Sequence, residues 1–334
     1  MSQPNNRTAR PTVVWLAVGL FLLILISIFI GRYPGPYFMS PERLLNDPLA
    51  QRLVFNLRLP RILTAVLLGM SLSAAGAVLQ MIFGNPLVEP GFLGVSQGAA
   101  FGAAFSIIVF SGAAWLVQPV AALFAFIGLG LSYIVARNVR FGGWLLRLIL
   151  AGIAVSALFS AGLGILKYVA DPLSQLPEIT FWMLGGLWSI NWPKFLSILP
   201  VVLVGLSVIY LMRWRLNLLS LSDQTAFSLG TAPARERLIL LIVAVLVTAA
   251  VVSVAGMVSW VGLIIPHIVR RVFGSDAREL IPASMLIGAM FTLLCDDLAR
   301  TVFPGEVPLG ILTSLIGAGL FLYLMYRRKA SIPA

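Results

Sequence analysis

Ten runs of apolar residues, most of them close to the length of a membrane crossing and separated by short polar breaks, leave this chain few ways to fold. They lie at 13–30, 62–83, 92–110, 115–136, 145–170, 195–212, 238–254, 257–272, 280–302 and 309–326. A helix rises about 1.5 Å per residue, so about 20 apolar residues match the hydrocarbon thickness of a bilayer. Within that layer no water is present to satisfy backbone polar groups, which selects helices over open strands. The expected architecture is an all-α polytopic membrane protein with ten transmembrane helices forming one domain over residues 1–334. Composition agrees: 60% of the 334 residues are hydrophobic and only 10% are charged, whereas a soluble domain carries about a quarter charged residues.

The formal net charge of +11 does not point to nucleic acid, because the basic residues form no stripe and are not interleaved with aromatics. They fall between apolar runs, as the positive-inside rule places them. Arg7 and Arg10, Arg137, Arg140 and Arg147, Arg213, Arg215, Arg235 and Arg237, Arg270, Arg271 and Arg278, and Arg327, Arg328 and Lys329 all fall on one side. Both termini are then expected in the cytoplasm. Eight of the 23 basic residues are left outside, and five of them, Arg32, Arg43, Arg52, Arg58 and Arg61, lie in or beside one external segment, 31–61. Within it Ser40 and Pro41 resemble a helix start, serine as cap and proline at the first helical position. Arginines at such a boundary either snorkel to water or pair with carboxylates of an acidic external partner. The single Cys295 excludes an internal disulfide and reads as a packing residue. The only histidine, His267, has no companion ligands at metal-site spacing, so no metal and no cofactor are expected, and it reads as a packing or hydrogen-bonding group.

The stretch 213–237, RWRLNLLSLSDQTAFSLGTAPARER, sits between two long apolar runs. Ser220 and Asp223 have the spacing of a capping box, Gly230 is placed for a left-handed helix end, and Pro233 suits the start of another helix. A short helix and tight turn flanked by arginines make a compact knob at the membrane surface, suited to a partner in the aqueous phase.

Small residues mark two further spans. Pro86 and Pro90, with glycines on either side, break the chain after the second span, and Glu89 is the only charge there. Gly94, Ser96, Gly98 and their alanine neighbours follow, and Gly152, Ser156, Ser160 and Gly164 recur every four residues in the fifth span. Such helices either pack closely against neighbours or line a cavity. Asp296 and Asp297 read as an outer-rim pair with Arg300 at i,i+4 and i,i+3 spacing, in preference to a proton path. Trp182, Trp188 and Trp192 read as interfacial belt residues.

Four blocks in order carry a resemblance: GNPLVEPGFLGVSQGAAFGA, LNLLSLSDQTAFSLG, WVGLIIPHIVRR and DDLARTVFPGEVPLGILTSLIGAG. They are similar to the FecCD/BtuC-type permease subunits of ABC importers for iron-siderophore complexes, haem and cobalamin. The resemblance implies a type II ABC importer permease fold and a homodimer in the cytoplasmic (inner) membrane, in contact with lipid. Two ATP-binding cassette subunits would lie below it and a solute-binding protein outside. It maps ATPase coupling onto Leu216, Leu219, Leu221, Ser222, Asp223, Thr225, Phe227, Leu229 and Gly230. Binding-protein docking falls on Arg58, Arg61 and Arg300, and the fifth span is expected to line the pathway, with Gly94, Ser96 and Gly98 of the thin third span beside it. No G-x-x-x-x-G-K-[ST] phosphate loop occurs, so the chain is read as a transporter subunit without catalytic residues. An ion-coupled secondary transporter is the alternative class, disfavoured because central ionisable residues are nearly absent. A ferric siderophore is the expected cargo, with cobalamin, haem and molybdate or tungstate as alternatives.

Overall fold

A computed structural model of the chain describes residues 9–33, 37–110, 113–302 and 305–329, the side chains of 9–12 and 327–329 excepted. Arg7 therefore lies outside the described residues, as do the side chains of Arg10, Arg327, Arg328 and Lys329. Among the described residues there are fourteen α-helices and no strand, only an isolated bridge between Ile30 and Phe38. The helices are α1 (Ala9–Phe29), α2 (Pro41–Asn46), α3 (Pro48–Leu53), α4 (Leu59–Ile82), α5 (Val95–Val109), α6 (Ala114–Asn138) and α7 (Trp144–Val169). They continue with α8 (Gln175–Leu184), α9 (Trp192–Leu219), α10 (Asp223–Ser228), α11 (Pro233–Ala255), α12 (Val261–Phe273), α13 (Ala277–Thr301) and α14 (Leu309–Lys329).

Each of the ten expected apolar runs contains an α-helix, but the count of ten crossings is not established. Among the described residues seven helices are long and apolar enough to cross a membrane. The apolar part of α1 is shorter, Val13–Phe29, and α5 and α12 have 15 and 13 residues. At 1.5 Å per residue the last two rise about 22 and 20 Å, short of the ~30 Å hydrocarbon layer. The irregular stretches beside them are 83–94 and 256–260; in the first Val88, Pro90, Leu93 and Gly94 are buried while 84–87 are exposed, and in the second Gly256 lies against the carbonyl of Trp182. Irregular backbone is tolerated at membrane depth where protein covers it in this way. Trp260 closes the second stretch in a left-handed conformation, φ 72°, rare for a side chain of that size.

The external segment differs from expectation. From Pro48 to Ile82 the chain is helical without interruption. A π turn over Val54–Arg58 precedes Pro60 and accommodates the N–H that proline lacks. Before it, Ser40 precedes Pro41 as read, yet its side chain makes no capping bond; the side-chain cap in this region is Asp47, accepting from the N–H of Leu49 at 2.9 Å.

At the centre stands α4, almost wholly buried and wrapped by α9, α11, α12 and α13. Glycine makes this possible. A Cβ on Gly69 would collide with the carbonyl of Gly288 on α13, and one on Gly76 with the carbonyl of Gly262 on α12. Backbones in such contact gain dispersion energy that larger residues would forbid. Thr292 closes the α4–α13 seam by donating to the carbonyl of Ala65 (2.7 Å). Cys295 is buried in the same interior, as a packing residue should be. A second layer, α5, α6 and α7, is held by the rings of Phe101, Phe105, Phe124 and Phe159, with Phe101 centred 5.2 Å from Phe124 and 5.5 Å from Phe159.

Candidate functional site

Two clusters lie where the sequence concentrates its charge. At one end, α1, α4 and α13 meet around Asp296, whose side chain has no exposed surface. Arg61 on α4 reaches it with Nε and Nη2, both at 2.9 Å, and turns Nη1 to both oxygens of Glu306 at 2.9 and 2.8 Å. Arg300 on α13 pairs with Asp296 at 3.3 Å and with Asp297, the expected i,i+4 and i,i+3 partners. It also donates to the Ser27 hydroxyl (2.8 Å) and the Ile30 carbonyl (3.1 Å), while Ser27 donates to Asp297 at 2.6 Å. Burying a charge is costly unless it is paired and hydrogen-bonded, and this network meets that condition. Ser27 and Glu306 were missed in the sequence: a lone serine in an apolar run and an acid in a Pro/Gly turn carry no spacing signal.

The three candidate docking arginines are therefore unequal. Arg61 and Arg300 are each only 8% exposed and committed to acids. Arg58 is half-buried and bonds backbone carbonyls alone, Ile28 at 3.0 Å and Tyr33 at 2.7 Å. All three border an open cavity of about 360 Å³, with Arg32, Trp188 and Glu306 on its walls.

Near Ser220 lies the knob. α9 runs on through Arg213 to Leu219, so Ser220 ends that helix instead of starting the next. The cap is Ser222, whose Oγ accepts from the N–H of Thr225 at 3.3 Å. That corrects the capping-box reading: two serines in one S-x-S pattern competed, and the longer helix claimed the first. Gly230 is left-handed, φ 81°, and Pro233 opens α11, both as expected. Arg237 fixes the knob from α11, binding Asp223 (2.6 Å) and the Leu219 carbonyl (2.8 Å), while Arg215 pairs with Glu236. Of the nine residues mapped onto coupling, Leu216 and Leu219 are buried in the helical core and present nothing outward. Leu221, Ser222, Asp223, Thr225, Phe227, Leu229 and Gly230 are exposed, with Phe227 at 72%.

The small residues divide likewise. Gly94 abuts Gly128 on α6, Gly98 meets the Phe124 carbonyl, and Gly152 lies against the backbone of Phe92 and Leu93. All three are buried, so they act here as close-packing positions and line no open space. Ser96 and Ser156 are partly exposed, and Ser160 is exposed. His267 stands edge-on to the ring of Phe321 at 6.4 Å. No group of three His, Cys, Asp or Glu side chains among the described residues is placed to hold a metal ion.

Comparison with known proteins gives consistent matches. The profile described as the FecCD transport family matches residues 19–327. The molybdate import system permease protein MolB of Haemophilus influenzae is 39% identical over 321 residues, covering 94% of this chain and 95% of that protein. The hemin transport system permease protein HmuU of Yersinia pestis is 38% identical over 330 residues, covering 94% and 96%. A solved structure described as an inward-facing conformation of a putative metal-chelate type ABC transporter superposes with a TM-score of 0.88 at 39% identity, covering 95% of this chain and 99% of that one.

Proposed function

This chain belongs to the FecCD transport family, and from that premise we propose that it forms, with a second copy of itself, the conduit through which a metal chelate crosses the inner membrane. It is a multi-pass permease subunit of an ABC importer, with ATP hydrolysed by a separate partner. The ion-coupled alternative is thereby set aside.

The exposed apolar face of the knob carries the proposed mechanism. Leu221, Phe227 and Leu229 stand out on a short helix that is capped by Ser222 and tied by Arg237 to α9 and α11. Rigid apolar projections are costly in water and serve to seat in a partner's groove. We assign them to the ATP-hydrolysing subunits on the cytoplasmic side, where both termini also lie. In a transporter carrying Phe227→Cys, crosslinking to the ATPase subunit is expected, and Phe227→Ala is expected to lower uptake about tenfold while the permease remains folded. No crosslink at Phe227 or its neighbours would remove the assignment.

On the outer face the docking of a solute-binding protein falls chiefly to Arg58, which pairs with no acid among the described residues. Arg61 and Arg300 shape the same cavity. Ser96, Ser156 and Ser160 are assigned to the pathway wall. The cargo we favour is a ferric siderophore. Identity to the molybdate permease supports an oxyanion as second reading. Titrating the cognate external protein with ferric siderophores and with molybdate decides between them, since selectivity resides there.

A further inference from the structure

Beside the root of the knob, at the same end of the bundle, lies a cavity of about 530 Å³ that none of the roles above uses. Gln80, Asn85, Ser220, Arg270, Arg271 and Ser275 line it, and no acid does. Gln80 is buried, and its amide is oriented by its own bonds: Nε2 donates to the carbonyls of Gly262 (3.3 Å) and Leu263 (3.1 Å). Its Oε1 is thereby left to accept from Arg270 at 3.1 Å. Arg271 donates to the carbonyl of Leu324 at 3.2 Å. Among the described residues neither arginine has an ion pair, although they are adjacent and like-charged. Three acids of the adjoining segments have other partners: Asp223 pairs with Arg237, Glu236 with Arg215, and Asp276 accepts from Asn217 and the N–H of Arg278.

Two guanidinium groups held by neutral partners, in a basin that His267, Met81 and Pro86 also line, leave several N–H donors for an anion, and arginine suits a carboxylate or phosphate in a two-bond fork. Position selects the source. The cavity caps the end of α4, the most enclosed of the long helices, and is continuous through Ser220 with the knob. That continuity with the proposed ATPase-facing element favours a protein carboxylate as the occupant.

We propose that this cavity is a second contact for the ATP-hydrolysing subunit, receiving an acidic side chain of that partner between Arg270 and Arg271. The inference rests on the reading of the knob as the coupling element and extends it: the knob transmits motion through apolar contact, while the arginine basin sets affinity and orientation electrostatically. The test uses the whole permease in nanodiscs with its ATPase subunit, measuring their dissociation constant across a series of salt concentrations. Arg271→Gln, at an exposed position, and the double variant Arg270→Gln/Arg271→Gln are compared with Arg271→Lys. Neutralisation should weaken association about tenfold and flatten its salt dependence, with Arg271→Lys retaining most of the affinity. Unchanged affinity and an unchanged salt slope in Arg271→Gln would overturn the proposal. So would loss of co-purified anionic phospholipid with ATPase affinity intact, which would make the basin a headgroup site. A Phe227→Cys crosslink in the same preparations reports separately on the knob, so failure of the basin and failure of the coupling reading are distinguishable.

Discussion

Asp296 has no exposed surface and holds two arginines from different helices. Removing one member of a buried ion pair leaves the others desolvated and unmatched, at a cost of about 3–5 kcal/mol. Asp296→Asn should therefore lower the thermal unfolding midpoint of the detergent-solubilised permease sharply. Asp223→Asn, in a pair whose carboxylate is largely exposed, should cost less than about 1 kcal/mol. Equal shifts in the two variants would contradict the structural account of the cluster. The contrast between serines is equally direct: Ser222→Ala should loosen α10 by about 1 kcal/mol, seen as faster amide exchange at residues 224–226, whereas Ser220→Ala should not. At this scale the sequence was legible only where partners are close along the chain. The spacing of Asp296 and Asp297 to Arg300 announces their pairing, but the bond from Arg61 to Asp296 joins residues 235 apart and leaves no trace in local pattern. The choice of Ser222 over Ser220 depends on how far α9 extends, which tertiary packing of Leu216 and Leu219 decides.

Elements were easier to read than their lengths. Runs of apolar residues located all ten long or broken helices, because lipid leaves no other way to satisfy the backbone. Prolines and glycines marked where α5 and α12 fall short. What the sequence withheld was which surface each glycine would meet. Gly94, Gly98 and Gly152 fit equally a pathway wall or a helix crossing by sequence, and the structure adds only that each meets a neighbouring backbone, of α6 or of residues 92–93. The same reasoning gives a prediction for α4. Gly76→Ala places a methyl group against the Gly262 carbonyl and forces α12 outward, at about 1–3 kcal/mol of overpacking. Gly84→Ala, where nothing lies within 4 Å, avoids that collision and meets only the smaller strain of its left-handed backbone, φ 58°. A differential thermal shift between these two variants checks the close approach.

For the whole molecule, enclosure is uneven. Of the apolar window of α4, 89% is buried, against 33% for α7 and 22% for α14. Among that exposed surface Ser160 presents a hydroxyl on α7, and the proposed dimeric conduit makes it a test position for the pathway wall. In a transporter assembled in proteoliposomes, Ser160→Cys should react with a membrane-impermeant maleimide and change its rate when ATP is supplied. Leu158→Cys, about 200° round the same helix, should not react. The buried Cys295 keeps the background low. Absence of labelling at both positions would place Ser160 in lipid and remove α7 from the route.

The tethering of α9 has a wider consequence. At one end Leu219 is bound by Arg237 to the knob, and at the other Trp192 donates through Nε1 to the carbonyl of Phe55 in the outer helical segment (2.8 Å). Its 28 residues form a strut of about 42 Å, interrupted only by the hydrogen bond that Pro200 cannot make. A strut pinned at both faces cannot tip at one without tipping at the other. On the proposed reading of the knob as the coupling element, α9 offers a direct route by which a push at the knob reaches the outer helical segment at Phe55.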